Sequence, residues 1–307
     1  MAKSRQTTQI VLAFFAIYVI WGSTYLLNKI AVADLPPFML AAVRFSMAGI
    51  IVFIIAKSMG ISLRITARQL KNVTIAGFLF LSFGNGIVVW ALKYVDSGFA
   101  ALEISAQPLV VLLLMRGLQG KKIQPMSLVG VVLGILGIYL LISQRTIIQQ
   151  EHSLAGIFMI LAAMVSWSYG SLFVGKAELP TNFFVNTGYQ MFIGGLFLAL
   201  MSLIFREAWS LPWTWEGEVQ LSMGLLIIFG SIIAFTSFNY LLKVVSPEKV
   251  ATNTYVNPIV AMVLGWYILD EKITLQSVIA AIVLLTGVYF INTSRQKVGK
   301  LNFFKKG

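Results

Sequence analysis

Long apolar runs separated by short polar breaks set the pattern of this chain. Each run approaches the roughly 20 residues that a membrane-crossing helix needs. They predict spans at 9–28, 37–57, 72–92, 97–117, 126–143, 153–174, 183–205, 218–242, 247–269 and 274–293. The strict apolar/polar alternation of a transmembrane barrel strand is missing, so the spans read as helices. The first run lacks a small-residue cleavage site and carries Trp21, Tyr25, Asn28 and Lys29, which marks a retained helix rather than a cleaved signal peptide. The expected fold class is therefore all-α integral membrane, with ten transmembrane helices.

Composition narrows the class further. Of 307 residues, 58% are hydrophobic and only 11% charged, against about 25% charged in soluble domains. Mean hydropathy is +0.87. Too few charges exist to coat a water-facing surface of this size, which excludes a soluble enzyme or a disordered chain. The chain has no cysteine and a single histidine, His152, so thiolate sites and two-imidazole metal sites are excluded and no cofactor is expected. The net charge of +12 reports topology rather than nucleic acid, because the cations lie in the breaks between apolar runs. With the N-terminus inside, most of the 23 lysines and arginines are cytoplasmic, and only Lys29, Lys93, Arg145, Arg206 and Lys272 fall on the other side. Both termini are then cytoplasmic and the span count even. The expected location is the cell membrane, of bacterial inner-membrane type. Trp209, Trp213 and Trp215 suit an outer aromatic belt, and the basic tail Lys300 to Lys306 suits anionic lipid.

The chain also repeats. Residues 92–143 align without a gap on 242–293, pairing Lys93 with Lys243, Pro108 with Pro258, Gly137 with Gly287 and Tyr139 with Tyr289. Earlier helices correspond more loosely, through Trp21/Trp167 and Gly49/Gly195. The predicted division is a first repeat at 1–148 with helices 1–5 and a second at 149–307 with helices 6–10 and the basic tail. Five spans is an odd number, so the second copy must lie inverted. Inverted repeats are a transporter signature, with the substrate site at the repeat interface near the midplane.

Several short motifs point the same way. Trp21-Gly22-Ser23-Thr24-Tyr25, Leu35-Pro36-Pro37-Phe38, Arg44-Phe45, Gly84-Asn85-Gly86 with Trp90, and Pro258 followed by Leu269-Asp270-Glu271-Lys272 occur in order. Together they resemble the EamA branch of the drug/metabolite transporter superfamily over essentially the whole chain. The resemblance implies ten helices in two inverted repeats, a central cavity, and movement of small metabolites, often export of amino acids or related compounds. The chain departs from that family's pattern after the fourth helix, where Gln119-Gly120-Lys121-Lys122 replaces the acidic residue often found there. A role for that acid cannot be carried into the first repeat.

Candidate chemistry centres on two intramembrane charges, Arg44 and Glu103. A charge at a helix centre costs about 2.5–3.5 kcal/mol on insertion scales, which makes it a functional candidate. Both lie roughly 10 Å below the outer face by helical rise, so they are able to pair. Three readings stay open for Glu103: structural partner of Arg44, coupling site that binds a proton, or ligand for a cationic group. Arg44 either packs and pairs or binds a substrate carboxylate. The repeat matches Arg44 with Gln190 and Glu103 with Asn253. Trp21, Thr24 and Asn28 share one face of the first helix, and Trp167 and Tyr169 occupy corresponding ground in the sixth. Asn85, Trp90, Asn253 and Tyr255 complete the candidate cavity set, with plain packing the alternative for each. Pro108 and Pro258 are candidate mid-helix hinges or static bends. Gly130, Gly134 and Gly137 form a small-residue stripe read as intrachain packing.

The resulting expectation is a secondary transporter, not an enzyme. It moves a small metabolite by alternating access, with protons as the candidate coupling ion. Expected partners are the small-molecule substrate and membrane lipids, with no nucleic acid and no metal; the oligomeric state stays open. An uncoupled facilitator and an integral-membrane enzyme acting on lipid-linked substrates are the alternatives. No G-x-x-x-x-G-K-S/T, H-E-x-x-H or G-x-S-x-G motif is present.

Overall fold

The computed structural model describes all residues except 1, 121, 145–150, 246–249, 251 and 305–307. The predicted repeat boundary at 148/149 and the basic residues Lys121, Arg145, Lys249, Lys305 and Lys306 lie outside the described residues, as do the side chains beyond Thr293 in the tail.

Among the described residues the chain is all-helical. Nine helices among the described residues are long and apolar enough to cross a membrane. They are α1 (Gln6–Asp34), α2 (Pro37–Ser58), α3 (Ala67–Ala91), α4 (Ser97–Gln119), α5 (Pro125–Ile142), α6 (Ser153–Val174), α7 (Phe183–Ile204), α8 (Gly217–Leu241) and α10, whose apolar part is Leu275–Thr293. The remaining apolar helix, α9 (Asn253–Leu269), has 17 residues. The start of the predicted span at 247–269 falls largely on residues outside the described ones, and the first helix runs well beyond the predicted 9–28. Polar Lys29 and Asp34 end the apolar run but not the helix, because Leu35 is the first residue to leave helical geometry, ahead of Pro36-Pro37. Prolines at the first helical turn start α2 and α5, where a missing N–H costs nothing. Gly120 beyond α4 and Asp270 beyond α9 take left-handed conformations that end those helices.

Three helices carry π-helical segments: Ala16–Ile20 in α1, Phe78–Asn85 in α3 and Leu226–Ile233 in α8. Pro108 is not at mid-helix. The fourth span breaks at Ser105 and Ala106, and Pro108 sits in the first turn of the segment Gln107–Gln119 that resumes it. Pro258 lies inside α9, as expected.

The most extensive packing is α2 along α7 and α5 along α10. Both seams depend on glycines. A Cβ at Gly49 would stand 2.6 Å from the Phe192 backbone nitrogen, and one at Gly195 would stand 2.6 Å from that of Ser46. Gly130, Gly134 and Gly137 meet Leu284 and Gly287 of α10 or Leu109 of α4, so the stripe is used within the chain. Around these seams, α4 packs on α9, α1 packs on α8 and α9, α6 packs on α3 and α4, α2 packs on α8, and α3 packs on α7. A central core of Phe38, Phe45, Phe80, Met191, Leu198 and Phe235 fills the middle. Large apolar side chains such as Leu128, Val132, Ile135, Leu200, Leu203 and Trp266 stay exposed on the outside of the bundle. That much outward apolar surface needs lipid, and the chain is a multi-pass membrane protein.

The loops after α1, α3, α7 and α9 gather at one face, where Glu207 meets Phe38 and Glu271 meets Ser97. This is called the far face. At the opposite, near face, Tyr189 donates to the Leu63 carbonyl, and Arg68 pairs with Glu178 at 3.5 Å.

A Cβ at Gly287 would come 2.7 Å from the Gly134 backbone nitrogen and 2.8 Å from the Gly130 carbonyl oxygen, whereas Gly117 has open space. Gly287→Val should therefore destabilise the detergent-solubilised protein by about 1–3 kcal/mol, the usual range for overpacking. Gly117→Ala should not. Thermal unfolding followed by size-exclusion chromatography checks both.

Candidate functional site

The site is built around Arg44. This side chain lies in the upper half of α2 and is 2% exposed. Its Nε donates to Ser231 Oγ at 2.8 Å, and its Nη1 donates to Asn28 Oδ1 at 3.3 Å. The guanidinium carbon lies 4.7 Å from the centroid of the Phe45 ring, a cation–π contact. These bonds use two of the five N–H donors of a guanidinium. Among the described residues no carboxylate bonds to it. A buried cation held only by neutral acceptors is an unusual arrangement, because desolvation is costly without a counter-charge.

The helices explain how the partners arrive. The face of α1 carrying Trp21, Thr24 and Asn28 turns inward toward the π segment of α8. Trp21 Nε1 donates to the Gly230 carbonyl at 3.2 Å, and Thr24 Cγ2 would lie 2.7 Å from a Cβ at Gly230. Glycine at 230 lets α1 and the Arg44 head approach, and Ser231 next to it supplies the acceptor. Asn28 is oriented by its own amide, which donates to the Thr24 carbonyl at 2.7 Å and leaves Oδ1 facing Arg44.

Aromatic rings border this cluster. Trp21 packs edge-on against Trp167 at 6.3 Å and lies 6.4 and 5.1 Å from Phe235 and Phe238. Trp167 packs on Phe80 at 4.9 Å, and Gly84 lies against the Trp167 ring. Asn85, the next residue, has a buried Oδ1 without a hydrogen-bond partner.

Glu103 is placed differently from the pairing considered above. It is fully buried, and neither carboxylate oxygen has a hydrogen-bond partner. It does not pair with Arg44, whose bonds go to α1 and α8 instead. Similar depth fixed a position along the helix axis but not around it. Glu103 belongs to the segment Ser97–Ile104, which packs on α9 and α1, and it lies just before the break at Ser105.

The other candidates are dispersed. Trp90 joins Phe38 and Phe205 in a triangle of rings with centroids 5.2–5.3 Å apart. That triangle lines a far-face cavity of about 340 Å³, with Asp34, Lys93 and Glu207 also in its wall. Gln190 is buried; its Nε2 donates to Asn186 at 2.9 Å, which leads to Asn239 and Thr187 in a polar chain between α7 and α8. The Gln190 Oε1 has no partner. Asn253 and Tyr255 start α9, where Asn292 donates to the Tyr255 hydroxyl. Tyr169 does not join Trp167: it is 47% exposed on the outside of the bundle. Residues that reasoning from the sequence passed over are Ser231, Asn186 and Asn239. The only signal they gave was a small polar side chain inside an apolar run.

Among the described residues neither buried group has an ionic partner, so volume-conserving apolar replacements should stabilise the fold. Arg44→Met and Glu103→Met should each raise stability by about 1–3 kcal/mol, the cost of desolvating a buried polar group left without full partners. Thermal unfolding in detergent reads this directly. A fall in melting temperature for either variant would identify that charge as a structural member of the core.

The chain was compared with known proteins. The pattern of the EamA-like transporter family matches residues 8–143 and again 154–293. A protein of Escherichia coli (strain K12) described as "Uncharacterized inner membrane transporter YedA" is 35% identical, with 92% of each chain covered. The "Uncharacterized transporter YoaV" of Bacillus subtilis (strain 168) is 24% identical over 94% of this chain and 99% of its own. The chloroplastic "WAT1-related protein At3g02690" of Arabidopsis thaliana is 26% identical over 90% of this chain and 67% of its own. A solved structure titled "Crystal structure of protein" has 21% sequence identity and a TM-score of 0.66, covering 95% of this chain and 99% of that one. That likeness shows the shared fold.

Proposed function

The chain belongs to the EamA-like transporter family, and on that premise we propose that it is a secondary transporter moving a small carboxylate-bearing metabolite, an amino acid or related compound, by alternating access. Family and relatives' names point to membrane transport rather than catalysis. The observation that carries the substrate class is Arg44, a buried cation with unused donors and no acidic partner at the junction of α1, α2 and α8. A substrate carboxylate supplies the missing charge and accepts two of the free N–H groups in a forked bond. The rings of Trp21, Trp167, Phe235 and Phe238 stand beside it for an apolar or cationic remainder.

Two inverted five-helix repeats, with ten crossings and both termini cytoplasmic, are the architecture of this reading. Support comes from the packing. Advancing each helix by five turns α1 on α9 into α6 on α4, α1 on α8 into α6 on α3, and α2 on α8 into α7 on α3, all of which occur. The π segments Phe78–Asn85 and Leu226–Ile233 also occupy matching stretches of the third helix of each half. The positive-inside pattern places the far face outside.

Glu103 is the proton carrier of this reading. A fully buried carboxyl without a hydrogen bond has no structural bond to lose when it gains or releases a proton. Export as the direction rests on the family resemblance.

Purified protein in proteoliposomes loaded with pooled amino acids and metabolites tests the reading. A pH gradient should accelerate wild-type flux. Glu103→Gln should keep counterflow and lose that acceleration. Arg44→Gln should reduce flux of carboxylate compounds at least about tenfold, the loss expected for a charge-assisted bidentate contact. Gradient-independent flux in wild type and Glu103→Gln alike would favour a facilitator, and unchanged flux in Arg44→Gln would remove Arg44 from the site.

A further inference from the structure

Two helix N-termini on the near face and two on the far face are capped in opposite ways, while α10 on the far face has its own cap in Thr274, whose Oγ1 accepts from Ser277 N at 3.0 Å. At the near face, the first turns of α3 and α7 are satisfied by their own N-caps. Thr66 and Gln69 form a reciprocal capping box, and Asn182 Oδ1 accepts from Phe184 N and Val185 N at 2.9 and 3.2 Å. At the far face, α2 and α4 are capped from a distance. Pro36 precedes α2 and has no capping side chain, while Asp96 precedes α4 and makes no cap. Glu207, just beyond the end of α7, accepts from Phe38 N and Met39 N at 3.1 and 2.7 Å. Glu271, just beyond the end of α9, accepts from Ser97 N at 2.7 Å and from Ser97 Oγ and Gly98 N at 3.0 Å.

The two carboxylates thus do the same job. Each follows a helix of the second half and caps the N-terminus of the first-half helix packed against it. A negative group on bare N–H donors at a positive helix end is a charge-assisted contact. Separating the halves at the far face breaks both caps and leaves four backbone donors exposed. Separating them at the near face leaves both described caps intact.

We infer that Glu207 and Glu271 are the outer gate residues of the transport cycle: paired latches that hold the far face closed and whose release admits the outward-open state. This inference rests on the alternating-access reading. It also gives a role to the acid of the Leu269-Asp270-Glu271-Lys272 motif. The first-half counterpart, Gln119-Gly120-Lys121-Lys122, carries no acid, so the Glu271 latch has no acidic counterpart in that motif.

The absence of cysteine in the sequence allows a background-free test. Leu102 is 1% exposed and shares a small far-face cavity with Glu271, so Leu102→Cys reports opening of that face. Val185, 3% exposed at the start of α7, becomes the near-face reporter as Val185→Cys. Maleimide labelling of the purified full chain in proteoliposomes is measured alone, with Glu207→Ala/Glu271→Ala and with the milder Glu207→Gln/Glu271→Gln. Asn182→Ala, which removes a local cap, is the control. Loss of the latches should raise far-face labelling about fivefold or more, the shift expected for losing one cap. Near-face labelling should not rise, and the control should leave the far face unchanged. Unchanged Leu102→Cys labelling in both double variants overturns the inference, as does a rise at both reporters, which marks general loosening. Wild-type flux in the same vesicles is read separately, so absence of transport counts against the functional reading while labelling still decides the latch.

Discussion

Inside a bilayer no water is present to satisfy a backbone N–H or C=O, and each unsatisfied group costs several kcal/mol. The rest of this structure follows from that constraint. A plain α-helix meets it automatically, but a π segment shifts the hydrogen-bond register and leaves carbonyls in need of donors. All three π segments receive one from a neighbouring helix. The amide nitrogen of Asn257, in the orientation its neighbours dictate, donates to the Ile17 and Tyr18 carbonyls at 2.8 and 2.9 Å. Ser166 donates to the Leu79 carbonyl at 2.8 Å, and Trp21 to that of Gly230 at 3.2 Å. The polar residues of these spans therefore tie helix to helix at the places where helical regularity fails. One of those ties, Trp21 to Gly230, stands beside Arg44.

Much of this was legible in the sequence. The all-helical, membrane-crossing character and the short connections follow from the apolar runs. The inward face of α1 was legible too, because lipid excludes a stripe of Trp21, Thr24 and Asn28, and the structure sets that stripe against Arg44 and Gly230. What was not legible is rotation. Counting residues from a helix end gives depth, and equal depth left open that Arg44 and Glu103 pair. The partner across a bundle depends on azimuth, which the π segments change without leaving a mark on periodicity. Ser231 illustrates the point: an ordinary serine in an apolar run becomes the closest partner of the buried guanidinium because a register shift turns it inward. Tyr169 shows the converse, a polar-tipped ring two residues from Trp167 in sequence that faces outward in space.

The two cavities seen at the far face each carry one of the capping carboxylates in their walls. The backbone of α2 begins at Pro36-Pro37, where a proline cannot act as a side-chain cap, and the cap is therefore imported from beyond α7. Where the chain offers a local cap, as at Thr66 and Asn182, no cross-helix carboxylate is needed. Choice of N-cap residue, ordinarily a matter of one helix's stability, thus decides which pairs of helices are bound at their ends.

The separation of Arg44 from Glu103 carries the final step. Paired, the two would be mutually neutralised, and breaking the pair would expose an uncompensated charge costing about 3–5 kcal/mol. A substrate carboxylate or a proton would then have to compete with a strong internal contact. Apart, each is left unfinished: Arg44 keeps free donors beside neutral oxygens, and Glu103 keeps two oxygens without a bond. On the proposed reading, folding stability is lower for it, and each group has most to gain from a visiting anion or proton. Binding energy is then available in the state that holds the ligand and absent in the state that does not. That difference between states is what any ligand needs to shift a conformational equilibrium.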